Sequence, residues 1–323
     1  MGAEVCGVSL PGSVSSPSLF DLAALSKILT DVRFDLHDSE TLSNHVEDMQ
    51  PHLVFHLAAQ PLVRRGYREP EETFSSNIQG TVNIPESVRG MDSVAGVIVV
   101  TSDKCYLNNN QGRCFVEADP LGGHDPYSAS KAAAEMVAAG YRALNEMPPI
   151  YSVRAGNVIG GGDWGEDRLI PDMVRAFSDN EEVVVRNPAS SRPWQHVLDC
   201  LSGYIAVAET HMSEATERDG SAGEAYNIGP LTDKAVTVCD IANRFIDSWG
   251  EGAWRDASED QSSAVSEALT LGLDPLKAVE RLNWRPRWEV EHAVDRTANW
   301  YRDLLNGESA SVLCERDIEA WTS

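Results

Sequence analysis

The fold is decided by residues 94–131, which read VAGVIVVTSDKCYLNNNQGRCFVEADPLGGHDPYSASK. Residues 94–100 form an apolar run, which predicts a buried β-strand. The run stops at Thr101, and the ionisable residues Asp103 and Lys104 follow at once. Tyr127 then opens a segment with helical periodicity. A buried strand followed by a helix favours a parallel sheet, in which ligands bind at the carboxyl ends of the strands.

Strand-like and helix-like segments alternate along the first half of the chain. Strand patterns cover residues 2–10, 32–36, 53–59, 95–101 and 150–154, and helical patterns cover residues 39–49, 71–89 and 128–144. Their short connections favour right-handed βαβ units. We predict an α/β fold with a doubly wound, Rossmann-like parallel sheet. The predicted domains are a dinucleotide-binding domain at residues 1–165 and a smaller mixed α/β substrate domain at residues 166–323, with some interleaving of the chain.

A dinucleotide-binding domain begins with a strand, a glycine-rich turn and a helix whose N-terminus receives the pyrophosphate. The spacing G-x-G-x-x-G does not occur near the start of this sequence. The run Gly160-Gly161-Gly162 follows a late strand and leads into Asp163 instead of a helix. We therefore expect the domain to be N-terminally incomplete, with its first βα unit missing from this chain.

Composition and charge exclude several classes of function. A formal net charge of −24 argues against nucleic acid as a partner, because a polyanion would be repelled. Neither a membrane-spanning apolar stretch nor a basic region followed by an apolar run is found, which predicts no membrane association and a cytoplasmic protein. The six cysteines lack the spacing of a metal site or a disulfide framework, and no metal is predicted.

The basic residues are strongly biased toward arginine. Five of the 26 are lysine and the remaining 21 are arginine. An acidic, lysine-poor surface resembles that of proteins from a high-salt cytoplasm, where ions screen the repulsion between like charges. We hypothesise a halophilic protein, and full folding and activity without added molar salt would contradict this.

Tyr127 and Lys131 are four residues apart and lie on one face of the predicted helix. An ammonium beside a phenol favours the phenolate and lowers a tyrosine pKa that ordinarily lies near about 10. Tyr127 is therefore predicted to be a base that removes a hydroxyl proton, with Ser102 at the end of the preceding strand. The alternative interpretation is an incidental pair on an amphipathic helix.

Eight sequence blocks resemble the extended short-chain dehydrogenase/reductase family, and within it the 4,6-dehydratases that act on CDP-glucose. The resemblance covers nearly the whole chain. It implies NAD as the cofactor and CDP-glucose as the nucleotide-sugar substrate. The blocks are HLAAQPLVR (56–64), YREP (67–70), NIQGT (77–81), TSDKCY (101–106), DPYSASK (125–131), RAGNVIGGGDW (154–164), DRLIPD (167–172) and RPWQH (192–196).

Asp103 and Lys104 are the more discriminating pair. The resemblance implies Asp-Glu at this step in relatives acting on dTDP-glucose and Asp-Lys in those acting on CDP-glucose. Once C4 of the sugar is oxidised, the C5 proton becomes acidic, and loss of water from C5 and C6 needs a base and an acid. The resemblance implies Lys104 as the base and Asp103 as the acid. The alternative is a surface salt bridge at a strand end.

The resemblance also implies the residues that hold NAD and the substrate. Asp35 is expected to bind the adenine amino group, and a bidentate guanidinium at Arg192 suits the substrate diphosphate. Trp164 and Trp194 either pack on the base or fill the core. The predicted cofactor-binding residues are Asp35, Leu36, Ala58, Ala59, Gln60, Asn77, Tyr127 and Lys131. The predicted substrate-binding residues are Arg154, Asn157, Arg168, Arg192 and His196.

The two-helix interface of this family, near residues 72–89 and 128–144, implies a homodimer. Two other functions stay open. One is another nucleotide-sugar enzyme such as an epimerase, which needs no elimination pair at Asp103 and Lys104. The other is an inactive truncated homologue that binds nucleotide sugar weakly or supports a partner subunit.

Overall fold

In a computed structural model, the chain is described at residues 2–12, 16–214, 222–232, 234–258 and 268–323. Short 3-10 turns lie at Leu25–Lys27 and Asp103–Cys105, and a π-helical turn lies at Ser75–Gln79. The strands and helices of the first half are β1 (Cys6–Ser9), α1 (Leu19–Leu22), β2 (Thr30–Arg33), α2 (Ser39–Met49), β3 (Leu53–His56), α3 (Val63–Arg68), α4 (Pro70–Phe74), α5 (Gly80–Ser87), β4 (Gly96–Val100), β5 (Cys114–Phe115), α6 (Pro126–Arg142) and β6 (Ile150–Ala155).

The second half continues with short strands and longer helices. Its elements are β7 (Val158–Ile159), α7 (Leu169–Ser178), β8 (Val183–Val185), β9 (Gln195–His196), α8 (Val197–Glu214), β10 (Ala225–Ile228), α9 (Val238–Trp249), β11 (Trp254–Asp256), β12 (Gly272–Leu273), α10 (Leu276–Leu282), α11 (Val290–Leu305) and α12 (Ala310–Thr322).

The main sheet has four parallel strands in the order β10-β6-β4-β3. Side chains alternate between its two faces along β4. Val97 and Val99 pack with Ile84 of α5 and Ala138 of α6. Ile98 instead packs with residues of α8 and α10 on the opposite face. Helices therefore cover both faces, and the predicted doubly wound parallel sheet is confirmed.

β1 and β2 form a separate two-stranded parallel sheet, with Cys6 opposite Thr30. In the described part of the chain, β1 pairs with β2 alone and β3 pairs with β4 alone. In the doubly wound order 3-2-1-4-5-6, the first strand lies between the second and the fourth. The described residues therefore leave a break between β1 and β3, with no strand that pairs with both.

The chain crosses back from its second half into the main sheet. β10 pairs with β6, with Ala225 opposite Ser152. Helices α8 and α10, which also follow residue 166, pack on the same sheet. Residues from both predicted domains therefore build the main sheet and its covering helices. The domain boundary between residues 165 and 166 stays a prediction.

The second half also has a core of its own, built from α7, α9, α11 and α12. Met173, Phe245, Trp300 and Leu313 are completely buried in it. Helix α12 lies at residues 310–322, where the sequence predicted no element, and its Trp321 Nε1 donates to Asp199 Oδ1 at 2.8 Å. The C-terminal segment is therefore docked on the second half.

Three predicted elements differ in detail. The helix predicted at residues 71–89 is divided into α4, the π-helical turn and α5, which contains Pro85 and so lacks one helical N–H donor. Helix α6 begins two residues before its predicted start, since Asp125 caps it and Pro126 occupies the first turn. Residues 250–268 have a polar sequence that predicts a loop, but they contain β11, and residues 259–267 lie outside the described part. Within the described ranges, no helix combines the length and apolar character needed to cross a membrane.

Candidate active site

A cleft of about 400 Å³ opens where β4 and β6 end. The two halves of the chain both line it. The first half contributes Ser102, Asp103, Lys104 and Tyr127, all predicted catalytic residues. The second half contributes the predicted substrate-binding residues Asn157, Arg168 and Arg192. Seven of the residues that the sequence singled out therefore share one cavity.

Ser102 and Asp103 are fixed by the turn that follows β4. Ser102 Oγ accepts from the Lys104 backbone N–H at 3.2 Å and donates to Asp103 Oδ1 at 3.0 Å. Asp103 is only 3% exposed, and its second oxygen, Oδ2, has no hydrogen-bond partner among the described residues. A Cβ at Gly156 would lie 3.0 Å from this oxygen and 2.2 Å from Pro193 Cγ, so a side chain there would crowd the carboxyl group.

The pKa of Asp103 is raised above its ordinary value because the carboxyl group is buried. The positive charges of Lys104 and Arg192 and the hydrogen bond from Ser102 oppose this rise without cancelling it. A buried carboxyl group with a raised pKa and an oxygen without a partner is suited to donate a proton.

Tyr127 and Lys131 lie on α6, one turn apart. Asp125 caps this helix by accepting from the Ser128 backbone N–H at 2.9 Å. Tyr127 lies in the cleft and is hydrogen-bonded to Ser102. Lys131 lies behind it, where Nζ donates to the Val100 carbonyl oxygen at 3.2 Å. The capped helix and the end of β4 thus bring the predicted catalytic residues together.

The prediction that Lys131 lowers the pKa of Tyr127 is wrong in this structure. Burial raises the pKa of Tyr127 to about 12, although the hydrogen bond with Ser102 acts in the opposite direction. Burial also lowers the pKa of Lys131 to about 8, against the opposing charges of Cys105 and Glu135. Desolvation of both groups outweighs the interaction that the four-residue spacing predicted.

The cofactor-binding predictions fall into two groups, and the first lies beside α6. The Asn77 side chain accepts from the Gln60 backbone N–H at 2.8 Å and donates to Ser130 Oγ at 2.8 Å. Gln60 and Asn77 are both buried. Ala58, which lies two residues before Gln60, is exposed. These bonds fix the chain after β3 against the helix of Tyr127 and Lys131, which suits the nicotinamide end of a dinucleotide.

The second group follows β2. Asp35 is exposed, and its Oδ1 accepts from the His37 backbone N–H at 2.9 Å, which is the main reason that its pKa is lowered. The Leu36 carbonyl oxygen accepts from Asn83 Nδ2 at 2.8 Å, and Ala59 is half-buried. An exposed carboxylate here suits an adenine amino group. For the pyrophosphate between the two ends, the described residues offer no glycine-rich turn at a helix N-terminus, so the fit to NAD is partial.

Two arginines and one asparagine that were predicted to bind the substrate line the cleft, and each is held by different contacts. Arg192 is buried, and its Nη1 donates to the Ser191 carbonyl oxygen at 2.8 Å. Arg168 is more exposed and lies 3.7 Å from the Asp163 carboxylate. The Asn157 carbonyl oxygen accepts from the Gln195 backbone N–H at 3.1 Å, which leaves its side chain at the cleft.

Two substrate-binding predictions are corrected. Arg154 does not line the cleft, because its guanidinium is used in a buried ion pair with Glu135 at 2.7 Å and a hydrogen bond to the Tyr106 hydroxyl at 2.8 Å. His196 is also buried away from the cleft, with its ring 4.6 Å from that of Trp288. Burial lowers the pKa of His196 to about 3. In this structure neither side chain lines the cleft.

The two tryptophans have different surroundings. Trp164 packs edge-on against Tyr301, with ring centres 5.4 Å apart, and belongs to the core of the second half. Trp194 is a buried member of the same core but, unlike Trp164, it also lines the cleft. Trp194 is therefore the tryptophan that a ligand could contact.

Sequence reasoning gave no role to five charged residues that line the cleft, namely Arg64, Asp163, Asp167, Asp172 and Arg186. Arg64 and Asp167 lie within blocks that resemble the family, but neither block suggested an ion pair between them. Arg186 directly follows the apolar residues of β8. A charged residue at the end of a strand was the signal that could have identified it.

Comparisons with known proteins agree with this geometry. The sequence model of the GDP-mannose 4,6-dehydratase family matches residues 14–297. The CDP-glucose 4,6-dehydratase of Salmonella typhimurium is 41% identical over 332 residues, covering 100% of this chain and 90% of that protein. The dTDP-glucose 4,6-dehydratase of Streptomyces antibioticus is 28% identical over 277 residues, covering 85% and 77%.

A solved structure gives the same fold. A double mutant of the dTDP-glucose 4,6-dehydratase DesIV from Streptomyces venezuelae, crystallised with NAD and DAU bound, superposes with a TM-score of 0.78 at 24% identity. The superposition covers 93% of this chain and 88% of that one. The predicted fold class and the resemblance carried by the eight blocks are both confirmed. The chain belongs to the GDP-mannose 4,6-dehydratase family.

Proposed function

We propose that this chain is a lyase that converts CDP-glucose into CDP-4-keto-6-deoxyglucose. The overall reaction oxidises C4 of the sugar, removes water from C5 and C6, and returns a hydride to C6. The relative that is 41% identical over the full chain is a CDP-glucose 4,6-dehydratase. In this chain, Asp103 and Lys104 both line the cleft, as an elimination at C5 and C6 requires.

NAD, when bound, supplies the acceptor and the donor of the hydride. Gln60, Asn77, Tyr127 and Lys131 would hold its nicotinamide end, because Asn77 is hydrogen-bonded to Gln60 and to Ser130 of α6, the helix that carries Tyr127 and Lys131. Asp35 would hold the adenine end.

Tyr127 is assigned to the C4 hydroxyl group. Its phenol lies in the cleft in a hydrogen bond with Ser102. Because burial raises the pKa of Tyr127 to about 12, the phenol is protonated at neutral pH. Removal of the C4 hydroxyl proton therefore depends on stabilising the phenolate, to which Ser102 contributes if its hydroxyl proton turns from Asp103 to Tyr127.

The observation that carries the proposal is the state of Asp103. Its buried carboxyl group has a raised pKa and presents an oxygen without a partner among the described residues. Such a group can protonate the hydroxyl that leaves C6, while the neighbouring Lys104 takes the proton from C5. An epimerase acting at C4 has no use for this acid, so the arrangement favours dehydration.

Replacing Lys104 with Met tests the assignment of the base. We expect Lys104→Met to abolish formation of the 4-keto-6-deoxy sugar, measured by mass spectrometry as loss of water from CDP-glucose, while bound NAD is retained. The matched control is Lys234→Met, because Lys234 is exposed and pairs with Glu291 at 3.4 Å outside the cleft. Unchanged turnover in Lys104→Met would refute the elimination mechanism.

Assays of the unmodified protein test the alternative that the chain is an inactive homologue. Absence of NAD from the purified chain, together with no conversion of CDP-glucose when NAD is added, would support a protein that only binds nucleotide sugar or assists a partner. Conversion of the sugar to its C4 epimer without loss of water would support the epimerase.

We further propose a homodimer formed through α4, α5 and α6. These helices pack together, and Phe74 and Met136 on them are 38% and 63% exposed. Light scattering that finds only monomers would contradict this.

We also propose that the protein acts in the cytoplasm, since all six cysteines are free thiols. Localisation of a tagged copy tests this assignment.

A further inference from the structure

An ion-pair bridge lies beside the cleft and has no role in the reaction proposed above. A single oxygen, Asp167 Oδ1, accepts a hydrogen bond from Arg64 Nη1 at 3.0 Å and from Arg186 Nη1 at 2.9 Å. Arg64 belongs to α3 in the first half, whereas Arg186 follows β8 in the second half. Asp167 therefore ties the two halves of the molecule together.

The bridge forms part of the wall between the cleft and the outside. Arg64, Asp167 and Arg186 line the cleft, and the same three residues also line a shallow depression on the outer surface. A ligand that enters from this side must pass their side chains. The bridge is therefore placed at the mouth of the cleft.

The backbone holds the Asp167 carboxylate in this position. Asp167 has a left-handed conformation with φ of 56°, which aspartate and asparagine adopt more readily than most residues. The loop before it is fixed by Arg175, whose guanidinium donates to the carbonyl oxygens of Trp164 and Gly165 at 3.2 and 3.1 Å. The carboxylate is thus set by the loop before any ligand arrives.

The charges of the bridge favour an anion. Two guanidinium groups share one carboxylate, and Arg168 and Arg192 line the same cleft in a chain of net charge −24. The cleft also contains Asp163 and Asp172, but Asp163 lies 3.7 Å from Arg168 and Asp172 is paired with Arg175. A guanidinium has five N–H donors in a planar fork that matches phosphate oxygens. A diphosphate is therefore the part of a nucleotide sugar that this mouth would bind.

We propose that Asp167 is a positioning residue, which holds Arg64 and Arg186 so that their guanidinium donors meet the substrate diphosphate. The inference rests on the proposed function for the identity of that diphosphate. Since Asp167 acts through the two arginines and not on the reacting carbon atoms, its loss should affect KM and nucleotide affinity more than kcat.

The neighbouring residue provides a matched control. Glu166 pairs with Arg68 at 3.0 Å, so it is also a carboxylate of the same loop joined to a guanidinium of α3. Glu166 and Arg68 line the outer depression but not the cleft. Glu166→Gln therefore removes the same charge without changing the lining of the cleft.

The sign of the change distinguishes positioning from simple charge. Asp167→Asn preserves the shape of the side chain and tolerates the left-handed backbone, and it removes one negative charge. If only charge mattered, CDP would bind more tightly to the variant. Positioning predicts the opposite, with CDP bound about fivefold more weakly, and cytidine monophosphate affected less.

The experiment is calorimetric titration of CDP and cytidine monophosphate into the full chain and its Asp167→Asn, Asp167→Glu, Glu166→Gln and Arg186→Gln variants. We expect weaker CDP binding in Asp167→Asn, partial recovery in Asp167→Glu, and parental affinity in Glu166→Gln. Adding Asp167→Asn to Arg186→Gln should cause less further loss than Asp167→Asn causes alone, because the carboxylate acts partly through Arg186.

Two results would overturn the inference while the proposed function stands. One is CDP affinity in Asp167→Asn that equals or exceeds that of the parental chain. The other is an equal loss for CDP and cytidine monophosphate. If the parental chain binds neither CDP nor any other nucleoside diphosphate and leaves CDP-glucose unchanged, the proposed function fails and the inference fails with it. If the parental chain binds a different nucleoside diphosphate, the affinities of the same variants for that ligand must follow the order expected for CDP.

Discussion

At the scale of single residues, burial determines the ionisation of the cleft. The pKa of Asp103 is raised, that of Tyr127 is raised to about 12 and that of Lys131 is lowered to about 8, with desolvation the largest cause in each. All three groups are thus displaced toward their uncharged forms. The spacing of Tyr127 and Lys131 indicated that the two would be close, but the spacing contains no information about how completely both are removed from water.

The depressed pKa of Lys131 gives a dependence of stability on pH. The folded chain releases this proton near pH 8, whereas the unfolded chain keeps it to a pH near 10.5. Between these values the unfolded state binds more protons, so the contribution of Lys131 to the free energy of unfolding increases as pH rises. Urea unfolding of the parental chain and Lys131→Met at about pH 8 and about pH 10 measures it. The free energy of unfolding of the parental chain minus that of Lys131→Met should become more positive at the higher pH. A difference that is the same at both pH values would show that Lys131 is not desolvated.

At the scale of elements, α6 carries a stripe of functional and structural residues at intervals of four. Tyr127 and Lys131 face the cleft end of β4, and Glu135 is the next residue of the stripe. Glu135 is 1% exposed and accepts hydrogen bonds from Ser152 Oγ at 2.8 Å and Arg154 Nη2 at 2.7 Å. Burial alone would raise the pKa of Glu135, but the hydrogen bond and charge of Arg154 outweigh it and lower the pKa.

Replacing Glu135 with Gln should therefore destabilise the protein. The substitution leaves the buried Arg154 without its counter-charge, and removal of one partner from a buried ion pair costs about 3 kcal/mol or more. Chemical denaturation measures the change. Glu69→Gln serves as the control, because the Glu69–Arg65 pair is on the surface and should change stability little. Equal stability of the two variants would mean that the buried pair contributes nothing.

The elements could be predicted from sequence more completely than the partners of charged side chains. The four-residue spacing on α6 and the apolar run of β4 placed Tyr127 and Asp103 at one sheet edge, because both depend on local periodicity. Arg154 could not be assigned in this way. Its sequence block resembles a binding site, and only the packing of α6 against β6 reveals that Glu135 uses its guanidinium.

The separation of the first two strands was foreseen only indirectly, through the glycine-rich turn that the sequence lacks. The bridge centred on Asp167 was not foreseen, because it joins residues 103 positions apart to a third residue after β8. Long-range ion pairs of this kind depend on the relative placement of the two halves, which neither composition nor periodicity describes.

At the scale of the whole molecule, the net charge of −24 opposes folding through repulsion between carboxylates. Many carboxylates are paired with arginine, including Asp295 with Arg244 and Asp119 with Arg113. The acidic residues still outnumber the basic ones by 50 to 26. Mobile ions would screen the remaining repulsion.

We expect the thermal unfolding midpoint to rise steadily when potassium chloride is increased from dilute buffer to molar concentration. Screening of like charges is the physical reason, so an uncharged osmolyte at the same osmolality should raise the midpoint less. Calorimetry or circular dichroism at several salt concentrations provides the measurement. A midpoint that is independent of salt would refute the halophilic hypothesis.

The break between β1 and β3 has a consequence for how the molecule opens. No residue of β1 or β2 is buried, and in the described chain this ribbon lacks a second neighbouring strand. β1 and β2 are covered only in part, with Cys6 Sγ 3.6 Å from His45 Nε2 of α2. A two-stranded ribbon is marginal by itself, so β1 and β2 should exchange their amide hydrogens through a local opening that leaves the four-stranded sheet intact. Asp35 follows directly after this ribbon. A ligand that binds at Asp35 would hold this ribbon closed, and part of its binding energy would be used for that ordering.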